Sequence, residues 1–228
     1  MGTLASNRKG YIQGASQTSY GDALSATTGT AFDAQNSNQS NSIQYFQSSG
    51  RGGGTFRFVR TFIHFNTSGI SGGSNFQLTL TSIQGNSSNS DNNITAVNHT
   101  AGSGTGGELA NADFNNVVKG TTWSSSTAFP SSGSVTITLN AAAASEIIGE
   151  NNFNVALILT HDQQEEEESP LGEDGAISNG IAFGSAINLT YTDPVSGYGH
   201  KVSGVASGSI GKVNTVATAS IGKINTVD

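Results

Sequence analysis

The chain of 228 residues contains no cysteine, only three prolines, one tryptophan and one methionine. Without cysteine it can form neither disulfides nor thiolate metal sites. Charged residues make up 11 % of the chain, well below the usual share of about 25 %. No apolar run approaches the roughly 18 residues that a membrane-spanning helix needs. Residues 1–9 lack the apolar segment of a secretory signal peptide, so we expect neither a signal peptide nor a membrane anchor.

The net charge of −7 is concentrated in one short segment. Seven of the 16 acidic residues lie there: Asp162, Glu165, Glu166, Glu167, Glu168, Glu173 and Asp174. The other nine acids balance the nine bases, and no cluster of lysine and arginine exists that would bind nucleic acid. Hard cations take carboxylate ligands, so the run Glu165–Glu168 could hold Ca²⁺. Four consecutive acids point in different directions, however, which favours a hydrated loop.

The uncharged majority of the sequence predicts an all-β fold. Segment Thr55–Phe65 has apolar residues on both faces, which is typical of a strand covered on both sides. Val135–Leu139 alternates apolar and polar residues, and Phe153–Thr160 is a further buried strand. Asn140 is a good N-cap for a short helix over Ala141–Ile148. Many short strands with little helix predict an antiparallel jelly-roll β-sandwich over residues 1–195.

Weaker patterns complete this fold prediction. Leu109–Val118 is either a brief helix or a loop, and residues 161–179 form an acidic loop. The remaining predicted strands are Gly10–Gln13, Ser42–Gln47, Phe76–Ile83, Ile94–Asn98, Ile181–Phe183 and Ile187–Tyr191.

The last part of the chain, residues 196–228, is a separate repeat tail. Tyr198–Gly208, Ser209–Ala219 and Ser220–Asp228 align at a period of 11, and the last two share Ser-Ile-Gly-Lys-(Val/Ile)-Asn-Thr-Val. Short tandem units usually stack or associate, because one unit cannot bury its own apolar face. We expect the tail to join neighbouring copies through Val202, Val205, Ile210, Val213, Val216, Ile221, Ile224 and Val227.

The conformation of the repeats stays open between alternatives. One continuous strand is disfavoured because an odd period moves equivalent side chains to opposite faces. A helix would place the apolar residues on one side and favour a right-handed supercoil. Gly204, Gly208, Gly211 and Gly222 oppose a helix, since each costs about 1 kcal/mol relative to alanine. Short extended segments broken at the glycines, and a flexible tail, are the other interpretations.

The sequence shows no catalytic constellation. The four histidines, at positions 64, 99, 161 and 200, do not have metal-ligand spacing. We interpret His64 as a core or sheet-face residue, and His161-Asp162 as a solvated start of the acidic loop. No Gly-x-Ser-x-Gly elbow is present, and nothing pairs the acids outside the acidic loop as a glycosidase would need. We therefore expect a protein that is not an enzyme and has no cofactor.

Trp123, the single tryptophan, has two interpretations. It could offer a stacking surface to a glycan, or it could fill the interior of the sandwich.

Several segments carry a family resemblance: Gly10-Tyr11-Ile12, Gly50–Gly53, Arg60–Ile70, Thr136–Asn140 and Gly197–Val202. Together they resemble a group of proteins common in marine tailed bacteriophages. Arg60–Ile70 also looks like the Arg-x-Phe-x-x-Phe-Asp-x-Ser-x-Ile signature of DNRLRE-type jelly-roll domains, which are similar to carbohydrate-binding modules. Asn66 replaces the aspartate of that signature. The tail resembles the Ser-Lys-Val-Asn-Gly-Val repeats of many phage proteins, with Thr215 and Thr226 in place of glycine.

The resemblance implies a non-enzymatic virion structural protein, either a capsid decoration or a fibre- or tail-associated protein, on the surface of the particle. Its expected partners are copies of itself, with a trimer as the expected assembly, and other virion proteins. An adhesin that binds a host surface glycan is the first alternative, and a polysaccharide hydrolase is the second.

Overall fold

A computed structural model describes residues 1–33, 41–48, 54–87, 93–104, 107–165, 177–194, 212–213 and 216–217. The chain divides into two compact units, Met1–Thr192 and Asp193–Asp228. The division lies close to the predicted boundary between residues 195 and 196.

In its described residues, the first unit contains thirteen strands and three short α-helices. The strands are β1 (Gly2–Ala5), β2 (Arg8–Gly14), β3 (Gly29–Asp33), β4 (Asn41–Gln47), β5 (Phe56–Asn66), β6 (Ser74–Ser87), β7 (Asn93–His99), β8 (Val117–Thr122), β9 (Thr127–Ala128), β10 (Ser132–Thr138), β11 (Asn152–Leu159), β12 (Ile177–Phe183) and β13 (Ile187–Thr192). The helices are α1 (Tyr20–Leu24), α2 (Ala141–Gly149) and α3 (Thr160–Gln164), and 3-10 helices lie at Ala101–Gly104 and Asn111–Asn115.

All pairs between the described strands of this unit are antiparallel, and the hydrogen-bonded path runs β1-β13-β6-β12-β4-β5-β11-β7-β8. Strands β2, β3, β9 and β10 attach beside this path. The predicted all-β, antiparallel fold is therefore confirmed.

The two longest strands organise the sheet because each changes partner along its length. Thr61 of β5 pairs with both β2 and β11, whereas Val59 pairs with both β2 and β4. One edge of β5 therefore pairs with β2. The other edge pairs with β4 over Phe56–Val59 and with β11 over Thr61–Asn66. Strand β6 likewise has β10 on one edge and β13 followed by β12 on the other. Since β4 and β12 pair with each other, they connect a half centred on β5 with a half centred on β6.

Both halves contribute to one continuous hydrophobic core. Strand β6, predicted as Phe76–Ile83, presents Phe76, Leu78 and Leu80 to the core at alternate positions, each at most 2 % exposed. Strand β5 is buried on both faces over nearly its whole length, as its double apolar pattern predicted. Because both faces of β5 are covered, its side chains contact other parts of the protein above and below the sheet.

Helix α2 begins where the sequence predicted. Asn140 has extended backbone angles, and its side-chain Oδ1 accepts a hydrogen bond from the amide of Ala143 at 2.9 Å. The region Leu109–Val118, left open between helix and loop, contains the 3-10 helix Asn111–Asn115 and the start of β8. The acidic loop begins later than predicted, because residues 160–164 form helix α3.

In the second unit, the described residues form a small antiparallel ribbon. Strand β14 (Lys212–Val213) pairs with β15 (Val216–Ala217), with Val213 opposite Val216. The extended alternative therefore describes these four residues, and the helical alternative is wrong for them. Apart from Val213 and Val216, the residues predicted to join neighbouring copies lie outside the described residues: Val202, Val205, Ile210, Ile221, Ile224 and Val227.

Candidate functional site

A buried ion pair lies on the face of β5 that the helices cover. Arg60 is in the middle of β5, and its side chain has no exposed surface. Its guanidinium donates two hydrogen bonds to the carboxylate of Asp162 in α3, with Nε–Oδ2 at 2.8 Å and Nη2–Oδ1 at 2.7 Å. Because a buried charge is tolerated only when it is paired, this two-point contact holds α3 against the strand.

The other donors of Arg60 bind two further elements. Its Nη1 donates to the carbonyl oxygen of Phe114 at 2.9 Å, and its Nη2 donates to that of Leu24 at 3.2 Å. The guanidinium carbon also lies 4.1 Å from the centroid of the Phe114 ring, within the range of a cation–π contact. One guanidinium therefore joins α1, the 3-10 helix Asn111–Asn115 and α3 to the sheet.

A second cation shares the carboxylate. Lys119 of β8 places its Nζ 3.2 Å from Asp162 Oδ1 and 3.2 Å from Glu165 Oε1. Burial alone would raise the pKa of Asp162, but the charges and hydrogen bonds of Arg60 and Lys119 together hold that pKa below its usual value. Asp162 is therefore ionised, and both of its oxygens are occupied by cations.

The prediction that His161 and Asp162 are solvated is wrong, since each is 1 % exposed. The neighbouring run of acids suggested solvent, but helix α3 turns both side chains toward the body before that run begins. His161 packs among the rings of Tyr20, Tyr45 and Phe58, with ring centroids 5.7 to 6.4 Å apart. The segment thus anchors the acidic loop rather than extending it.

A recess of about 450 Å³ opens beside this cluster, lined by Gly21, Leu24, Ser25 and Glu165. Among the described residues of that lining, Glu165 is the one titratable group, and a single carboxylate is not a pair for acid–base work. Among the described residues, no group of three or more histidine, aspartate or glutamate side chains could hold a metal. Glu166, Glu167 and Glu168 of the proposed Ca²⁺ loop lie outside the described residues.

Two histidines lie near the C-terminal end of β5. His64 belongs to β5 itself, and His99 is the last residue of β7. His64 is 4 % exposed, in line with its interpretation as a core or face residue, and its Nδ1 lies 2.8 Å from Asn7 Oδ1. His99 donates from Nε2 to the carbonyl of Ile63 at 3.0 Å, while its Nδ1 accepts from the amide of Ala101 at 3.1 Å. Burial lowers the pKa of His99 to about 4. This ring is neutral at pH 7 and fully used in hydrogen bonds.

Trp123 fills the interior, so its interpretation as a glycan-stacking residue is wrong for this structure. The residue is 4 % exposed, and its Nε1 donates to the carbonyl of Asn154 at 2.9 Å. Its ring packs 5.7 Å from the ring of Phe153. With its faces covered by protein, the indole cannot stack on a sugar.

A partly exposed aromatic pair lies elsewhere, and the sequence analysis missed it. Tyr11 of β2 and Phe32 of β3 are directly paired, and their rings stack with centroids 4.8 Å apart and planes 15° from parallel. Phe32 is 37 % exposed. The signal was weak, because the pair depends on the register of β3, a strand that was not predicted.

No helix in the described part of the chain is long and apolar enough to cross a membrane. No protein-family model matches this chain, and no curated protein matches it.

Proposed function

We propose that this protein is a non-enzymatic structural protein of a phage particle, which assembles through residues 198–228 and displays its β-sandwich on the particle surface. The observation that carries the proposal is the repeated Ser-Ile-Gly-Lys-(Val/Ile)-Asn-Thr-Val unit, together with the β14–β15 ribbon inside one copy of it. The marine phage resemblance of the sequence supplies the link to a virion.

The ribbon supports association because it is too small to be stable alone. Each of its strands has two residues, and an isolated two-stranded hairpin is marginal in water even when it is longer. Unpaired backbone groups at the edge of a sheet are a template for pairing with another chain. Neighbouring copies in a symmetric homo-oligomer would supply that pairing. A trimer is the assembly that we propose.

The first unit has the features of a displayed body. Its described polar cluster around Asp162 connects helices to the sheet and leaves no free acid–base pair. The acidic residues after position 164 give the protein a concentrated negative charge, which keeps a crowded particle surface soluble.

Light scattering on purified protein tests the assembly step. The full chain should have the mass of an oligomer, and Val213→Asp with Val216→Asp should reduce it to the mass of one chain. The matched control is Val118→Asp, which adds a charge at a residue of the first unit that is 37 % exposed and should leave the mass unchanged. A full chain that is monomeric at high concentration would overturn the assembly.

The virion assignment needs a separate experiment. An antibody raised against residues 1–192 should label assembled phage particles in electron micrographs, and the protein should sediment with them. Particles that carry no label, with the protein found only in the soluble fraction, would contradict the assignment.

A glycan-binding adhesin is the second candidate, and the exposed Phe32 of the Tyr11–Phe32 pair favours it, since exposed aromatic rings stack on sugar rings. In a sugar array the protein should bind a glycan, and Phe32→Ala should abolish that binding. Ile148→Ala is the matched control because Ile148 is equally exposed, at 37 %. Binding that survives Phe32→Ala would exclude this pair as the glycan site.

A further inference from the structure

One face of the β6-centred half carries a regular array of uncharged side chains, seven polar and one alanine. Strands β10, β6, β13 and β1 lie side by side, and their registers align the outward residues in two rows across the sheet. The first row is Thr136, Thr79, Asn188 and Ala5, and the second row is Thr138, Gln77, Thr190 and Thr3. We call these eight residues the threonine face. All eight are half-buried or exposed.

The residues between them point the other way and fix the array in place. Leu78, Leu80, Ile137 and Leu189 are at most 1 % exposed and pack in the core. Neighbouring strands lie about 4.8 Å apart, and residues two apart on one strand are separated by about 6.7 Å. Threonine is β-branched and has few rotamers. The hydroxyl and methyl positions of the face are therefore set by the backbone of the sheet.

The regular part of the array has definite limits. The register shifts between Gly133 and Val135 in β10, and again between Thr190 and Thr192 in β13. Residues beyond these points do not continue the rows. Sheet twist of about 20° per strand also limits how much of the face can meet a flat surface at once.

The chemistry of the face restricts what it can bind. None of the eight side chains is charged, so the face offers nothing to a phosphate polymer or an anionic lipid. None is aromatic, so it offers no ring on which a sugar could stack. Five are threonines, each of which presents a hydroxyl beside a methyl group. A fitting ligand is neutral, rigid and periodic, with oxygen atoms that repeat at spacings near those of the sheet.

We propose that the threonine face binds ice. Ice is an uncharged, periodic lattice of water oxygens, and each threonine offers it one hydroxyl oxygen and one methyl group. The hydroxyl of Thr190 also donates to the carbonyl of Gln77 at 3.5 Å, which leaves its oxygen to accept. Because the hydroxyls are held in position before contact, little side-chain freedom is lost on binding. Many weak contacts then add up over the patch. This activity is independent of the assembly through residues 198–228.

Slow freezing of a dilute solution tests the proposal with the full chain. The unsubstituted protein should be enriched in the growing ice and should slow recrystallisation of small ice crystals. Thr136→Lys with Thr190→Lys should abolish both effects, because two charged side chains would stand on different rows of the face. Thr30→Lys with Thr100→Lys is the matched control, since it adds the same charge at two exposed threonines outside the face.

The outcomes separate the alternatives. Loss of ice enrichment in the first variant only, with both variants unfolding at the temperature of the parent protein, supports the proposal. An unsubstituted protein excluded from ice overturns it, as does ice enrichment that survives Thr136→Lys with Thr190→Lys. Binding to microcrystalline cellulose without enrichment in ice would show that the face recognises a polysaccharide surface, and would also overturn it. The mass of the assembly in solution is not expected to change in any variant.

Discussion

The side chains of Arg60 and Asp162 form a buried pair with two hydrogen bonds, although the residues are 102 positions apart in the sequence. The same guanidinium also binds the carbonyl oxygens of Leu24 and Phe114. Four distant segments of the chain therefore meet at one cation. Since a buried charge without its partner is costly, the pair makes the packing of α1 and α3 depend on each other.

Replacing one partner should be strongly destabilising. Asp162→Asn removes the negative charge and leaves Arg60 buried without compensation, and we expect a loss of about 3–5 kcal/mol in the free energy of unfolding. Urea denaturation measures this loss.

Glu165→Gln is the control for that substitution. It removes the other acid bound to Lys119, but the side chain of Glu165 is 69 % exposed, so the loss should stay within about 1 kcal/mol. Arg60→Met with Asp162→Leu should recover part of the stability that Asp162→Asn loses. Equal losses for Asp162→Asn and Glu165→Gln would contradict the conclusion that the buried Arg60–Asp162 pair stabilises the fold.

His99 should make stability depend on pH. Its pKa falls from an ordinary 6.5 to about 4 in the folded protein because the ring is buried. Between these two values the unfolded chain binds a proton that the folded chain does not. Stability from His99 is therefore complete above pH 6.5 and is lost as the pH falls toward 4, by on the order of 3 kcal/mol.

Unfolding experiments at a series of pH values check this. His99→Gln keeps a hydrogen-bonding side chain but cannot titrate, so the decline in stability between pH 6.5 and 4 should become shallower. Some decline should remain, since burial also lowers the pKa of His64. Asp162 acts in a lower window: its depressed pKa gives stability that is lost only below its ordinary value of 3.8. An unchanged slope in His99→Gln would refute the assignment.

Trp123→Ala should damage the fold rather than a ligand site. The indole is buried against Phe153 and donates to the carbonyl of Asn154, so its truncation should destabilise the protein by about 3–5 kcal/mol. Thermal unfolding followed by circular dichroism measures this. A variant with normal stability would mean that the ring is not packed as described.

The strands that the sequence predicted correctly are those with strong local patterns. Thr55–Phe65 was recognisable because apolar residues occupy both faces, and Val135–Leu139 because it alternates. The cap at Asn140 is equally local. Strands β1, β3 and β8 were missed because they are short and polar, and they exist through pairing with strands distant in the sequence.

The polar cluster could be predicted only in part. A charged residue in the middle of a strand with two apolar faces must be paired, so Arg60 was a recognisable candidate for a buried ion pair. Its partner was not recognisable, because Asp162 stands next to a run of glutamates that suggests solvent. Which acid approaches Arg60 depends on the β5–β11 register and on helix α3, and both arise from tertiary packing.

Gly180 tests the junction between the two halves of the sheet. It lies in β12 with φ of +150°, and a Cβ atom there would be 2.1 Å from the carbonyl oxygen of Ile43 in β4. Gly180→Ala must therefore push β4 and β12 apart, and we expect a loss of at least about 2 kcal/mol in the free energy of unfolding. Gly149→Ala is the matched control, because a Cβ atom at the end of α2 meets nothing within 4 Å. That substitution should be neutral or stabilising by about 0.5–1 kcal/mol. Denaturant titrations of both variants decide the matter: if Gly180→Ala is as stable as Gly149→Ala, β4 and β12 do not pair as closely as this register requires.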